Sequence, residues 1–232
     1  MSITRHIPNT ITCLNLISGA VACIFAFKGA ETVGSLPAYQ WAYIFIGAAA
    51  IFDFLDGAAA RALGAYSNLG KELDSLCDLV SFGLAPTFLV YNTVNTLGGS
   101  AWVAWAAIWI AVMGALRLAK FNVDDRQTTS FIGLPIPANA IFWIGMTAWM
   151  YAHGYPGDIA TVIIILLAGA AMVSGIKMFS LKFKNFNWRE NFRRYVLLLA
   201  AVLFVLSEGI SGFMWTICFY VLVSVVGRKI EG

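Results

Sequence analysis

Long apolar runs separated by short polar segments follow one another along the whole chain. A helix of about 20 apolar residues crosses the roughly 30 Å of hydrocarbon in a bilayer. The pattern therefore predicts an all-α, polytopic transmembrane helix bundle of about eight spans, a six-helix core plus two. We place the spans at residues 10–28, 40–60, 72–93, 101–119, 136–153, 158–178, 194–208 and 211–228.

The last two predicted spans share one apolar stretch, which Ser207, Glu208, Gly209 and Gly212 interrupt. A tight turn there gives two short spans, whereas a single long helix would leave Glu208 in lipid, which is expensive. The distribution of basic residues along the chain favours the turn. With eight spans and both termini in the cytoplasm, every basic residue except Lys28 falls on the cytoplasmic side, as the positive-inside rule requires.

Composition supports a membrane protein, since 60% of the residues are hydrophobic and only 12% are charged. In soluble domains about a quarter of all residues are charged. We expect a single membrane domain over residues 1–232, and the small net charge of +3 gives no reason to expect a nucleic-acid partner. The basic and aromatic stretch 177–194 suits either a segment at an anionic membrane surface or an ordinary cytoplasmic loop.

Four aspartates lie where membrane proteins rarely carry charge. Asp53 and Asp56 come just after one apolar run, and Asp74 and Asp78 open the next. Each pair is spaced by about one helical turn and projects from one face of its helix. The short loop between the runs lets the two helices pack side by side, which brings the four carboxylates together.

Four buried carboxylates repel one another unless cations lie between them. Oxygen ligands without nearby Cys or His select Mg²⁺ or Mn²⁺. The cluster therefore predicts two divalent cations with coordination positions left for phosphate oxygens. The alternative is that each acid caps a span or pairs with Arg61 or Lys71. A transporter or cation channel is a further alternative, but it predicts acids distributed through the membrane depth.

The residues next to the acids suit a diphosphate. The turn beside the first pair carries only small side chains, at Gly57, Ala58, Ala59 and Ala60. Arg61 can form charge-assisted hydrogen bonds to phosphate oxygens. Gly70 permits close helix approach where the second acidic pair begins.

The segment 53–78 reads D-x2-D-G-x2-A-R-x8-G-x3-D-x3-D and resembles the signature of the CDP-alcohol phosphotransferase family at every fixed position. Further stretches are similar to the phosphatidylserine synthase branch of that family. They are PNTITCLNLISG (8–19), DSLCDLVSFGLAP (74–86), RLAKFN (117–122) and FIGLPIPANA (131–140). The resemblance covers most of residues 5–145, so we expect residues 1–153 to form the catalytic core and 154–232 to add further spans.

The resemblance implies a mechanism. The four aspartates would hold two divalent ions that position the pyrophosphate of CDP-diacylglycerol, and Asp78 would be the general base. The acceptor would be the hydroxyl of L-serine, and direct displacement would give phosphatidylserine and CMP. The resemblance also implies a homodimer. We expect a bacterial inner membrane, with the active site facing the cytoplasm.

A sibling activity is the nearest alternative function. The same chemistry can use glycerol 3-phosphate, inositol phosphate or another alcohol as acceptor, or an ether-linked lipid as donor. Phosphorylated acceptors call for a denser cationic pocket than Arg117 and Lys120 provide, which favours serine.

Other polar residues near the predicted site allow two interpretations each. Asn9, Thr12 and Asn15 either border the nucleotide pocket or serve as helix caps and interhelical hydrogen-bonding groups. Ser67 and Asn68 in the short loop are candidates for contact with the cytidine. Arg117 and Lys120, with Asn122 assisting, either bind the serine carboxylate or lie where positive-inside placement alone puts them. These three are the candidate serine-binding residues.

Overall fold

The computed structural model describes residues 6–123, 131–180 and 187–228. Most of these residues are helical, which confirms the all-α prediction. The helices are α1 (His6–Lys28), α2 (Ala38–Leu63), α3 (Asn68–Asp78), α4 (Ala85–Thr96), α5 (Ala101–Ala106), α6 (Ile108–Val123), α7 (Ile136–His153), α8 (Asp158–Val173), α9 (Trp188–Glu208) and α10 (Gly212–Arg228). A π-helical turn, Leu79–Leu84, joins α3 to α4, and a 3-10 turn, Gly209–Ser211, joins α9 to α10.

Among the described residues, two short antiparallel strand pairs accompany the helices. Strands β1 (Thr32–Val33) and β2 (Leu36–Pro37) form a hairpin between α1 and α2. Strands β3 (Phe131–Ile132) and β4 (Lys177–Met178) pair the segment before α7 with the segment after α8. The sequence pattern did not predict them, because two residues are too few to show an alternating pattern.

Several helices are long and apolar enough to cross a membrane. By length and composition, five stretches of the described residues qualify: His6–Lys28, Ala38–Leu63, Asn68–Thr96, Ala101–Val123 and Asn191–Val226. Helix α8 is a shorter apolar helix. The prediction of a polytopic membrane helix bundle is therefore confirmed. The count of eight spans and the cytoplasmic location of both termini stay predictions. Arg5, Arg126, Lys182, Lys184 and Lys229, which the charge argument used, lie outside the described residues.

The connection between the two acidic helices is shorter than the sequence indicated. Helix α2 continues to Leu63, three residues beyond the predicted end of the second span, so Gly57 and Ala60 lie in its last turns. Alanine and leucine favour helix, and the helix stops where Gly64 adopts the left-handed conformation, with φ of 58°. The Ser67 side chain then caps α3 by accepting a hydrogen bond from the backbone N–H of Gly70.

The C-terminal apolar stretch folds back on itself at the 3-10 turn. The rings of Phe204 on α9 and Phe219 on α10 have centroids 6.3 Å apart. Fifteen residues of uninterrupted helix would separate them by about 22 Å along the axis. The predicted turn is confirmed, and α10 packs against both α9 and α7.

The packing brings the acidic segment between α1 and α6. Helix α1 lies against α2 and also contacts α3, the π-helical turn and α4, while α6 packs against α8 and the π-helical turn. Apolar side chains such as Ile46, Phe82 and Ile136 fill the interior beside this region. The ends of α2 and α6 and the whole of α3 therefore surround one region of the bundle.

Candidate active site

Three of the four predicted acids form a compact cluster. Asp53 and Asp56 on α2 and Asp74 on α3 each have a carboxylate oxygen within 4.8 Å of the others. Asp56 is buried, and the other two are half-buried. The loop 64–67 turns the chain back between α2 and α3, which allows acids from two helices to meet.

The cluster fits a divalent cation. Asp56 Oδ2 and Asp74 Oδ1 are buried and have no hydrogen-bond partner among the described residues. Burying carboxylate oxygens without a partner is strongly unfavourable, so the arrangement calls for a cation between the helices. A donor set made only of carboxylate oxygens suits Mg²⁺ or Mn²⁺.

Asp78 has different surroundings from the other three acids. It is the last residue of α3 and is buried, and its Oδ1 accepts a hydrogen bond of 3.1 Å from Asn15 Nδ2 on α1. It lies within electrostatic range of Asp53, Asp56 and Asp74. Asp78 therefore stands beside the cluster, with one oxygen held by a neutral amide.

The π-helical turn begins directly after Asp78 and packs against α1. Ser81 Oγ donates a hydrogen bond of 3.1 Å to the backbone carbonyl of Asn15. A Cβ on Gly19 would lie 2.1 Å from Ser81 Oγ, so the two segments touch without space between them. Turns of this type occur often at functional sites. Sequence reasoning missed this one, since the hydrophobic pattern does not distinguish it from α-helix.

The candidate residues for the nucleotide end meet where α1 and α3 begin. A Cβ on Gly70 would lie 3.0 Å from both Asn9 Oδ1 and Ser67 Oγ. Asn68, the first residue of α3, is exposed next to them. The structure thus brings together residues from α1 and α3 that lie far apart in sequence.

The small residues of α2 lie beside a cation and an acid. Arg61 Nη1 is 3.4 Å from the position of a Cβ on Gly57, and Ala60 is half-buried one turn along from Gly57. Thr12 on α1 is buried beside Asp56, and its hydroxyl donates a hydrogen bond of 3.0 Å to the carbonyl of Pro8. The segment therefore leaves open backbone next to an exposed guanidinium.

Arg117 on α6 is buried at the same site. The residue is only 7% exposed, and its guanidinium carbon lies 4.9 Å from the centroid of the Phe121 ring. It lies within electrostatic range of Asp78 and Asp53. Positive-inside placement requires only an exposed cation at the membrane surface, so it does not account for burial beside the acids.

Lys120 and Asn122 make other contacts. Lys120 is exposed and donates a hydrogen bond of 3.3 Å to the carbonyl of Val173, at the end of α8. Asn122 Nδ2 donates to Ser75 Oγ at 2.9 Å, and the Asn122 carbonyl accepts from Lys71 Nζ at 2.9 Å. These contacts hold the end of α6 against α3 and α8.

Sequence reasoning gave no role to Asn139 on α7, although the stretch containing it was singled out. Asn139 is fully buried, and neither of its side-chain amide atoms has a hydrogen-bond partner in the described part of the chain. Asn139 lies one helical turn after Ile136, whose side chain lies against Gly83 and Gly114. An amide inside an apolar run was the signal that could have found it.

The chain matches a family model described as CDP-alcohol phosphatidyltransferase over residues 5–206. A protein of Methanocaldococcus jannaschii named CDP-diacylglycerol–serine O-phosphatidyltransferase is 32% identical over 226 residues, which cover 97% of this chain and 95% of that protein. A Bacillus subtilis protein of the same name is 34% identical over 188 residues, covering 78% of this chain and 92% of the relative. A Mycobacterium leprae protein, also of that name, is 38% identical over 155 residues, covering 64% of this chain and 48% of the relative.

Proposed function

The chain belongs to the CDP-alcohol phosphatidyltransferase family, and from that premise we propose that it transfers the phosphatidyl group of CDP-diacylglycerol to the hydroxyl of L-serine, giving phosphatidylserine and CMP. The family resemblance drawn from the segment 53–78 is thereby confirmed. The names of the relatives support this donor and this acceptor. The observation that carries the proposal is the cluster of Asp53, Asp56 and Asp74, with two buried oxygens that lack a partner among the described residues.

We assign the four aspartates to two divalent cations, Mg²⁺ or Mn²⁺. Asp53, Asp56 and Asp74 supply the clustered oxygens, and Asp78 completes the set. When bound, the ions neutralise the carboxylates and stabilise negative charge on the phosphate oxygens of the donor. The all-oxygen donor set supports the assignment.

The nucleotide and pyrophosphate of the donor lie along α2 and the start of α3 in this proposal. Arg61 is exposed and donates charge-assisted hydrogen bonds to the pyrophosphate, while Gly57 and Ala60 leave room for it beside the helix. A second group of residues borders the cytidine end. It comprises Asn9, Thr12, Ser67 and Gly70, whereas Asn15, which the sequence grouped with them, lies deeper on α1 and against Asp78.

Asp78 acts as the general base. The carboxylate takes the proton of the acceptor hydroxyl, and the hydroxyl oxygen attacks the phosphorus that carries diacylglycerol. A new P–O bond forms as the P–O bond to CMP breaks, and CMP leaves with the electron pair. Burial of Asp78 and the fixed position of one of its oxygens support this role, because a positioned carboxylate lowers the barrier to proton transfer.

Arg117 binds the carboxylate of serine. The acceptor carries a negative charge that the acidic site would otherwise repel, and a buried guanidinium compensates it. Lys120 and Asn122 hold the end of α6, and so Arg117, in position through their contacts with Val173 and Ser75.

The active site faces the cytoplasm of a bacterial inner membrane in this proposal, and the protein is a homodimer. Arg61, Lys71 and Lys120 are all exposed around the end of the bundle that carries the acids, which supports a cytoplasmic side for that end. The homodimer rests on the family resemblance, and cross-linking in native membranes tests it.

The reaction is tested by measuring CMP release from CDP-diacylglycerol by the purified protein. L-serine, glycerol 3-phosphate and inositol phosphate are offered in turn, with Mg²⁺, with Mn²⁺ and with a chelator. We expect release with L-serine only, and none without a divalent cation. Release with a phosphorylated acceptor and not with serine would mean that the chain catalyses the same chemistry with another acceptor.

Variants of the acids separate base chemistry from cation binding. Asp78→Asn should lower turnover by about 100-fold or more, since general-base catalysis contributes about that much. Asp53→Asn should also weaken the binding of Mn²⁺ and of the donor. Asp158→Asn is the matched control, because Asp158 lies at the start of α8, where it accepts hydrogen bonds from Ser100 and Tyr155. Full activity in Asp78→Asn would falsify the base assignment.

A further inference from the structure

Asn15 has an unused hydrogen-bond acceptor next to Asp78. The residue is fully buried, and its Nδ2 donates to Asp78 Oδ1. Its Oδ1 is buried and has no hydrogen-bond partner within the described ranges. The orientation of the amide follows from chemistry, because only the nitrogen can donate to a carboxylate. A buried amide oxygen without a donor is unfavourable, so a ligand that brings a donor would satisfy it.

The backbone holds Asn15 in this position. Its carbonyl accepts the hydrogen bond from Ser81 Oγ, and Gly19, one turn further along α1, lies in contact with the same serine. The side chain therefore cannot reach another donor by a shift of α1.

The chemistry of the acceptor identifies the missing donor. This step rests on the proposed function, in which the acceptor hydroxyl gives its proton to Asp78 and the carboxylate binds Arg117. L-serine then has one polar group left, its ammonium, which can only donate. Asn15 contacts Asp78 directly, and Arg117 lies within electrostatic range of Asp78, so two of the three partners lie near the carboxylate of the third.

We propose that Asn15 Oδ1 accepts a hydrogen bond from the ammonium of the amino-acid acceptor while Asn15 Nδ2 holds the base. The acceptor is then attached at three points, by Asp78, Arg117 and Asn15. Three attachment points distinguish L-serine from D-serine, and they disfavour an acceptor that lacks the amine. Asn15 is thus both a positioning residue for Asp78 and a specificity-determining residue.

Acceptor analogues test the proposal. CMP release is measured for the wild type and for Asn15→Leu with L-serine, D-serine and 3-hydroxypropionate, which keeps the hydroxyl and carboxylate but lacks the amine. Loss of Nδ2 should lower kcat for every acceptor alike, because Asp78 is held less firmly. Loss of Oδ1 should act only where an ammonium is present. The ratio of kcat/KM for L-serine to that for 3-hydroxypropionate should therefore fall about tenfold.

Ser18→Ala is the matched control, because it removes another buried polar group from α1 one turn away. It should leave the ratio unchanged. A second measurement is the Kd of L-serine for protein supplied with Mg²⁺ and CMP, which should rise about tenfold in Asn15→Leu.

The outcomes separate this inference from the function on which it rests. An unchanged ratio in Asn15→Leu overturns the role of Asn15 and leaves serine transfer intact. If Asn15→Leu does not fold, the wild type decides alone: equal kcat/KM for L-serine and 3-hydroxypropionate overturns the inference. Absence of serine-dependent CMP release by the wild type overturns both.

Discussion

Arg117 and Lys120 lie about one turn apart on α6, yet their surroundings differ. Arg117 is buried within electrostatic range of Asp78, whereas Lys120 is exposed and binds the carbonyl of Val173. Arg117→Ala should raise the KM for serine by about tenfold to 100-fold, since a hydrogen bond to a charged group contributes about 1.5–3 kcal/mol. The KM for CDP-diacylglycerol should change little. Steady-state kinetics with each substrate varied in turn measure both constants.

Lys120→Ala is the control for the loss of a positive charge at this end of α6. It removes a cation from the same end of α6 but leaves the guanidinium in place, and it also removes the hydrogen bond to Val173. The KM for serine should therefore rise far less than in Arg117→Ala, and the KM for CDP-diacylglycerol should stay close to the wild-type value. Equal increases of the two KM values in Arg117→Ala would contradict a specific role in binding the acceptor. Such a result would mean that Arg117 supports the fold of the site as a whole.

The acids could be singled out from sequence because two pairs at helical spacing in apolar surroundings are unfavourable for membrane helices and usually mark a functional site. The spacing could not reveal that Asp78 is held by Asn15, because that contact joins residues 63 positions apart. The burial of Arg117 was equally hidden, since a cation at the end of a span satisfies the positive-inside rule whether it is buried or exposed. Asn139 was passed over because no second polar residue accompanies it at helical spacing.

At the scale of elements, the contact between α1 and the π-helical turn fixes the position of Asp78. Gly19→Ala would add a Cβ 2.1 Å from Ser81 Oγ and 2.7 Å from the Ser81 Cα, so the two segments would have to separate. Overpacking of this kind costs about 1–3 kcal/mol. We expect a lower melting temperature and a reduced kcat, because Asn15 would move away from Asp78. Thermal unfolding in detergent and CMP release measure the two effects.

Gly47→Ala supplies the matched control on α2. Nothing lies within 4 Å of a Cβ at Gly47, and alanine in a helix interior is more favourable than glycine by about 0.5–1 kcal/mol. This variant should be as stable as the wild type or more stable, with unchanged activity. A Gly19→Ala protein that behaves in the same way would show that the π-helical turn does not depend on close contact with α1.

Most helices followed from the hydrophobic pattern, but their ends and joints did not. The second span was predicted to end at residue 60, yet α2 continues to Leu63, where Gly64 stops it. The third span begins four residues earlier than its apolar run, because the Ser67 cap starts α3 at Asn68. The π-helical turn cannot be recognised from the pattern because both kinds of helix bury the same apolar residues.

At the scale of the whole molecule, charge is distributed unequally between the two ends of the bundle. Arg61, Lys71 and Lys120 are exposed near the acids, whereas Lys28 lies at the other end of α1. Lys28 forms an ion pair of 3.9 Å with Glu31, which offsets its charge. This distribution favours a cytoplasmic side for the active site. The orientation of α9 and α10 in the membrane tests that conclusion.

Glu208, next to the 3-10 turn, and Asn187, which precedes α9, are both exposed and lie at opposite ends of α9. If α9 and α10 are the last two of eight spans, Glu208 faces the outside and Asn187 the cytoplasm. Single cysteines test this in a protein whose four native cysteines are replaced by alanine. In intact bacterial cells, a membrane-impermeant maleimide should label Glu208→Cys, and it should label Asn187→Cys only after permeabilisation.

CMP release by each labelled variant serves as the control for correct folding. Labelling of both cysteines from the same side would mean that α9 does not cross the membrane, and the count of eight would be wrong. The reverse pattern would keep the crossing but invert the molecule. The acids, Arg61 and Arg117 would then face the outside, which would contradict the charge argument for a cytoplasmic active site.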